Sequence, residues 1–418
     1  MKALLNRWSN WRLRGLWLLL ALPVAPVLAV ESSDAQVERG RYLARAADCQ
    51  ACHTQRGGAP YAGGRAMPSP FGTFYTPNLT PDAETGIGRW SAEDFARALR
   101  HGRAPDGSAY YPSFPYTSYT RMRREDIDAL YAYLRTQAPV AAPNRAHELA
   151  FPYSSRALLP LWQWWFLEPG EQPSEQADAE LARGEYLVEA LGHCDGCHQR
   201  RGTWGLGLAD ESGAGTTLLG WYAPSLRAPE GAGVHDWPLE EIVALLGGGR
   251  SRHAVTLGPM AEIVFESLQH LSDADLQAMA RYLKAMPSAP AETDTVRVRL
   301  AEAAQQRLRN EGRDVYASHC ADCHGAEGEG DAQALALAGN RSVLQEDPSS
   351  LIRVLLYGGF APSTARQPQP YGMPPFAQVL NQREQAAVLT YLRQSWGNQA
   401  SAVAPLEIEK LGGGGPLW

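Results

Sequence analysis

Three pentapeptides of one form constrain this chain more than any other feature. They are Cys49-Gln50-Ala51-Cys52-His53, Cys194-Asp195-Gly196-Cys197-His198 and Cys320-Ala321-Asp322-Cys323-His324, and together they use all six cysteines. Cys-x-x-Cys-His is the attachment signature of c-type haem. Two thiols on one helical turn add to the porphyrin vinyl groups, and the adjoining histidine ligates the iron. A zinc site needs about four ligands and would have to recruit further histidines at each pair. A redox-active disulfide accounts for neither the histidine nor the repetition. The expected cofactors are three covalently bound haem c groups, each held by its two cysteines and histidine.

The surrounding sequence repeats with the motif. Arg39-Gly40-Arg41-Tyr42-Leu43, Arg183-Gly184-Glu185-Tyr186-Leu187 and Glu311-Gly312-Arg313 each stand a short distance before a motif. Some 60 to 80 residues after each motif comes an amphipathic segment, at 125–135, 272–284 and 381–393. Asp126, Ser272 and Asn381 are its cap or first-turn residues. The shared endings Tyr133-Leu134, Tyr282-Leu283 and Tyr391-Leu392 align the three copies. The expected fold is mainly α, and the three tandem units, over 30–138, 178–288 and 289–397, resemble class I cytochrome c domains.

A sixth iron ligand is expected from the loop before each final helix, where class I cytochromes place a methionine. Met373 lies 18 residues before Tyr391, and Met260 lies 22 before Tyr282. In the first unit the same count reaches Pro115, next to Phe114, and phenylalanine cannot ligate iron. Met122 is assigned there, with Met67, a histidine such as His101, or an open iron as the alternatives. Arg65, Arg97 and Arg250 are candidates for propionate pairing on charge alone.

The N-terminal segment reads as an export signal over residues 1–29. Lys2, Arg7, Arg12 and Arg14 precede a short apolar run, Leu16 to Leu28, and Val27-Leu28-Ala29 forms a cleavage site. The alternative, an uncleaved anchor, is disfavoured by the short run and by Pro23 and Pro26. Cleavage takes the formal charge from −7 to −11, since the segment carries four cations and no acid. An acidic chain of this kind argues against a nucleic-acid partner. A Pro- and Trp-rich linker, 139–177, contains the apolar run Leu161–Leu167, expected to pack between the first two units or to dock on a subunit or the membrane surface. The tail, 398–418, ends in four glycines, Pro416, Leu417 and Trp418 and is expected to be flexible or to dock elsewhere.

In these features the chain resembles the three-haem cytochrome c subunit of bacterial membrane-bound dehydrogenases that oxidise alcohols, aldehydes, gluconate, sorbitol or fructose. The resemblance spans nearly the whole processed chain. It rests on Pro70-Phe71-Gly72-Thr73, Asn78-Leu79-Thr80-Pro81-Asp82, Thr85-Gly86-Ile87-Gly88 with Trp90, the Tyr111–Tyr116 stretch, the Gly258–Glu262 loop with Ser267, Tyr357-Gly358-Gly359 and the Met373 loop. It departs at Phe114, where many members carry methionine. The resemblance implies an electron-transfer subunit, not an enzyme on its own, at the periplasmic face of the inner membrane. Its partners would be a large catalytic subunit of flavin, quinoprotein or molybdenum type, and ubiquinone or a respiratory cytochrome as acceptor. Two alternatives stand beside it: a haem enzyme working through an open iron in the first unit, and a cytochrome subunit of a terminal oxidase or other respiratory complex.

Overall fold

The computed structural model describes residues 33–167, 169–170, 174, 176–199, 215–228, 233–289, 299–331, 333–369 and 372–412. The export signal expected over 1–29 lies outside the described residues, as do the last six residues of the tail.

The chain is mainly helical. In order, the first unit and the linker hold α1 (Asp34–Ala46), α2 (Cys49–Cys52), β1 (Ala66–Ser69), β2 (Gly72–Tyr75), α3 (Ala92–His101), α4 (Tyr116–Tyr119), α5 (Arg124–Arg135), β3 (Glu148–Leu149) and α6 (Leu159–Phe166). The second unit holds α7 (Ala179–Glu185), which runs on as a wider π turn through Leu191, then α8 (Asp195–His198), β4 (Thr216–Leu218), β5 (Trp221–Ala223), α9 (Leu239–Gly248), α10 (Pro259–Glu266) and α11 (Asp273–Ala285). The rest is α12 (Glu302–His319), α13 (Ala321–His324), α14 (Arg341–Leu344), α15 (Ser349–Tyr357), β6 (Gly359–Phe360), β7 (Gly372–Met373), α16 (Gln382–Arg393) and α17 (Pro405–Gly412). The strands form short antiparallel ribbons, of which β1-β2-β3 is the largest.

One helix crossing recurs three times. α1 packs on α5, α7 on α11 and α12 on α16. At each crossing a glycine lets the two backbones touch. A Cβ on Gly40 would stand 1.9 Å from the Ala129 carbonyl oxygen, one on Gly184 2.1 Å from that of Ala278, and one on Gly312 2.0 Å from that of Ala387. The same added atom would meet the Cβ of Tyr133, Tyr282 or Tyr391. The glycine and tyrosine of each repeat are therefore two halves of one contact. No other residue lets helices approach so closely.

Local chemistry places the final helices. Ser272 and Asn381 cap α11 and α16 by accepting from backbone amides, and Glu384 completes a capping box with Asn381. In the first unit the cap position falls to Arg123, and Asp126 sits in the first turn.

Burial joins the first two units. A single apolar cluster runs through both, from Leu43 and Ile127 to Leu187 and Leu276, while the third unit has a separate cluster around Tyr316, Ile352 and Leu389. The linker packs differently from its expected place between units one and two: it wraps the first unit. β3 pairs with β2, Asn144 Oδ1 accepts from the Asn78 amide at 2.8 Å, and Gln163 Nε2 donates to the Gly102 carbonyl at 3.0 Å. Only one face of α6 is buried, through Leu159 and Gln163. Leu161, Trp164 and Trp165 point outward, with Trp164 77 % exposed. The tail up to Gly412 is docked through α17, whose end accepts from the Tyr357 hydroxyl. No helix among the described residues is long and apolar enough to cross a membrane.

Candidate haem-binding sites

Each motif closes a one-turn helix directly after the first helix of its repeat: α2 after α1, α8 after the π turn of α7, and α13 after α12. That turn brings the two cysteines of a motif to one side and sets the histidine at its end. All three histidines make the same bond. His53 Nδ1 lies 2.8 Å from the Pro77 carbonyl oxygen, His198 Nδ1 2.7 Å from that of Pro224, and His324 Nδ1 3.2 Å from that of Leu335. A carbonyl only accepts, so each Nδ1 carries the proton and each Nε2 keeps its lone pair. This is how a protein orients an imidazole toward a metal. Burial holds all three histidines below their ordinary value, which keeps them neutral, as ligation demands.

The thiols lie in poorly solvated surroundings. Desolvation pushes Cys49, Cys52 and Cys194 up to about 12 and Cys320 to about 11. Cys49, Cys194 and Cys320, the first cysteine of each motif, pack against the apolar clusters, while Cys197 and Cys323 are exposed. Donor set, tautomer and apolar surroundings all fit a covalently held haem at each motif.

Sequence reasoning located the histidines and missed their carbonyl partners. A weak signal was present, since Tyr75-Thr76-Pro77 and Tyr222-Ala223-Pro224 repeat the same Tyr-x-Pro pattern about 25 residues after the histidine. The third unit supplies its carbonyl from Leu335, only 11 residues on, which hides the pattern.

Met260 lies in the first turn of α10, against the apolar cluster that takes in Cys194. Met373 lies on β7, against the cluster that takes in Cys320. Met122 belongs to the same cluster as Met260, which also takes in Cys49. It is wholly buried, one residue before the cap of α5, and its carbonyl accepts from Arg100 Nη2 at 2.8 Å. Met67 sits on β1 and His101 at the exposed end of α3.

The three arginines considered for propionates have protein partners. Arg65 grips Glu262 through both nitrogens, at 2.5 and 2.8 Å, and the Ala51 carbonyl at 2.6 Å. Arg97 pairs with Asp94, and Arg250 donates to the carbonyls of Gln333 and Asp331.

The Arg65–Glu262 pair ties α10, the helix carrying Met260, to the first unit's motif helix, against which α10 also packs. Cys197 is close enough to Cys52 for its charge to add to the rise of that thiol. On the other side of the second unit, β6 rests Gly359 against Leu257, beside the Met260 loop, and Arg341 donates its amide to the His253 carbonyl at 2.9 Å.

Comparison with known proteins gives the family. The cytochrome c family profile matches residues 37–138 and 310–396. The chain is 40 % identical over 422 residues to the cytochrome c subunit of a quinone-type alcohol dehydrogenase from Gluconobacter oxydans, covering 96 % of this chain and 87 % of that one. The chain belongs to the family of dehydrogenase cytochrome c subunits. It is also 40 % identical to the gluconate 2-dehydrogenase cytochrome c subunit of Pantoea cypripedii, over 89 % of this chain and 88 % of that one. Identity to the fructose dehydrogenase cytochrome subunit of Gluconobacter japonicus is 34 %, over 94 % and 86 %. A cytochrome c subunit carries covalently bound haem c and transfers electrons for a catalytic partner, and does not perform the dehydrogenation itself.

Proposed function

We propose that this cytochrome subunit carries three haem c groups and relays electrons between a catalytic dehydrogenase subunit and a respiratory acceptor at the periplasmic face of the inner membrane. The observation that carries the reading is the threefold recurrence of a half-buried histidine whose Nδ1 is fixed by a backbone carbonyl and whose Nε2 is left to ligate, directly after two thiols. Bound haem would supply one-electron chemistry at iron.

The protein's part is positioning and tuning. Cys49, Cys52 and His53, then Cys194, Cys197 and His198, then Cys320, Cys323 and His324 would each hold one group. Met260 and Met373 are the proposed sixth ligands of the second and third, and methionine favours a higher potential than a second histidine. The second unit touches both others. Its Met260 helix lies against the first motif, and its Leu257 lies against the β6–β7 ribbon that bears Met373. A linear path through the second unit keeps both hops short. The exposed Trp164, Trp165 and Leu161 face of α6 supports peripheral docking on the membrane surface. The electron donor is proposed to be a flavin, quinoprotein or molybdenum subunit, and the acceptor ubiquinone or a respiratory cytochrome.

The test is a mass spectrum of the protein from a host competent in haem attachment, followed by substrate-driven reduction in the native complex. The mass should exceed the processed chain by three haems, and all three should be reduced when the co-purifying dehydrogenase receives its substrate. An unmodified mass, or no dehydrogenase in the purified complex, would overturn the reading.

A further inference from the structure

We propose that the first haem carries no methionine opposite His53, and that its iron is open to a small neutral diatomic ligand such as carbon monoxide or nitric oxide. The inference rests on the reading of the first motif as a haem site and goes beyond it.

Internal equivalence is the first support. Met122 stands one residue before the cap of α5, Leu271 one before the cap of α11, and Leu380 one before the cap of α16. All three are buried, at 0 %, 6 % and 4 % exposure. Two carry the same backbone bond three residues back, Met122 to Tyr119 at 2.9 Å and Leu271 to Leu268 at 3.1 Å. In the first two units the fourth residue of the helix is apolar and fully buried, Ile127 and Leu276, as a hydrophobic staple requires, whereas in the third it is Gln385, whose Nε2 donates to the Leu380 carbonyl at 2.6 Å. Where a buried leucine holds this position in two copies, the methionine of the third is filling core volume.

The ligand position itself is the second support. Met373 stands eight residues before its cap and Met260 twelve before its own; the same interval in the first unit is Tyr111 to Pro115. No sulfur or imidazole occurs there. The Tyr111 hydroxyl is committed to the Tyr153 carbonyl at 2.9 Å, and Ser113 is exposed. Phe114 is half-buried instead, its ring 5.8 Å from that of Tyr119. Tyr119 donates to the Ala47 carbonyl at 3.1 Å, two residues before the motif, which sets this aromatic pair beside the first motif.

The remaining candidates are held elsewhere. The hairpin bearing Met67 hangs from the His53 side: the Gly63 amide bonds the His53 carbonyl, and His53 Nδ1 bonds Pro77. His101 lies exposed at the end of α3. The wall is aromatic, made of Phe114 and an already engaged Tyr119 whose ring stands 5.6 Å from that of His193, so it suits a neutral ligand.

The experiment uses the mature protein with its haems attached, as established by mass; a missing first haem would fail the functional reading and not this one alone. With three haems present, the dithionite-reduced protein should take up one carbon monoxide per chain. Met122→Leu should leave that stoichiometry and the methionine-to-iron charge-transfer absorption unchanged, while Phe114→Met should abolish carbon monoxide uptake. Three results would overturn the inference. They are no uptake by the wild type, with or without a bis-histidine electron-paramagnetic signal; loss of part of the charge-transfer absorption in Met122→Leu; and uptake that survives Phe114→Met.

Discussion

Tyr186 of the second unit donates its hydroxyl to Asp126 of the first at 2.7 Å, and Tyr42 of the first donates to Asp275 of the second at 2.5 Å. The two contacts are related by an internal pseudo-twofold. Arg39 backs Asp126 and Arg183 backs Asp275, while the amides of Arg123 and Ser272 donate to the two tyrosine oxygens. Each aspartate belongs to the first turn of its own final helix. Each repeat thus caps the other, and the continuous core between them follows.

Asp126→Ala should leave the buried Tyr186 hydroxyl without its acceptor. The expected loss is about 1–3 kcal/mol of stability, read as a lower denaturant midpoint for the holoprotein. Tyr186→Phe removes donor and need together, so it should cost less. Combining Tyr186→Phe with Tyr42→Phe should be non-additive if the two contacts form one interface. Simple additivity would mean that they act separately.

The same interface should weaken in acid. Burial alone would raise Asp275, but hydrogen bonds from Arg183 and Tyr42 outweigh it and hold the carboxyl below its ordinary value. The folded state therefore binds this proton less readily than the unfolded chain does. The stabilisation is complete above the unfolded value, about 3.9, and is lost as pH falls through the lower folded value. Denaturation midpoints should be flat with respect to this group from pH 7 to 5 and should fall below about pH 4. Asp275→Asn should reduce that acid dependence.

Gly40→Ala, Gly184→Ala and Gly312→Ala should each damage one helix crossing, because the new Cβ meets a carbonyl oxygen at about 2 Å in every case. Relief requires the helices to separate, at a cost of about 1–3 kcal/mol or more. The measurement is thermal unfolding together with haem content. Wild-type behaviour of all three variants would show that the crossings are looser than described.

Met373→Ala and Met260→Ala should each remove part of the methionine-to-iron charge-transfer absorption and lower the potential of one haem. A redox titration of the isolated subunit checks both. An unchanged titration in either variant would remove that residue from the ligand set.

Much of this was legible in the linear sequence because covalent chemistry and helix packing leave short, local signatures. The Cys-x-x-Cys-His runs, the Gly–Tyr spacing of the repeats and the caps Ser272 and Asn381 depend on neighbours a few residues apart. Family membership follows from the same runs. Tertiary structure decided what depends on distant groups. The carbonyls of Pro77, Pro224 and Leu335 orient the histidines across gaps of 11 to 26 residues. The linker lies on the first unit because Asn78 and Gly102 offer it hydrogen bonds there. Met122 shows the difference most clearly. A thioether is both an iron ligand and a good core filler, and nothing local distinguishes the two; the fold shows Met122 wholly buried one residue before the cap of α5, the position that Leu271 and Leu380 hold in the other units.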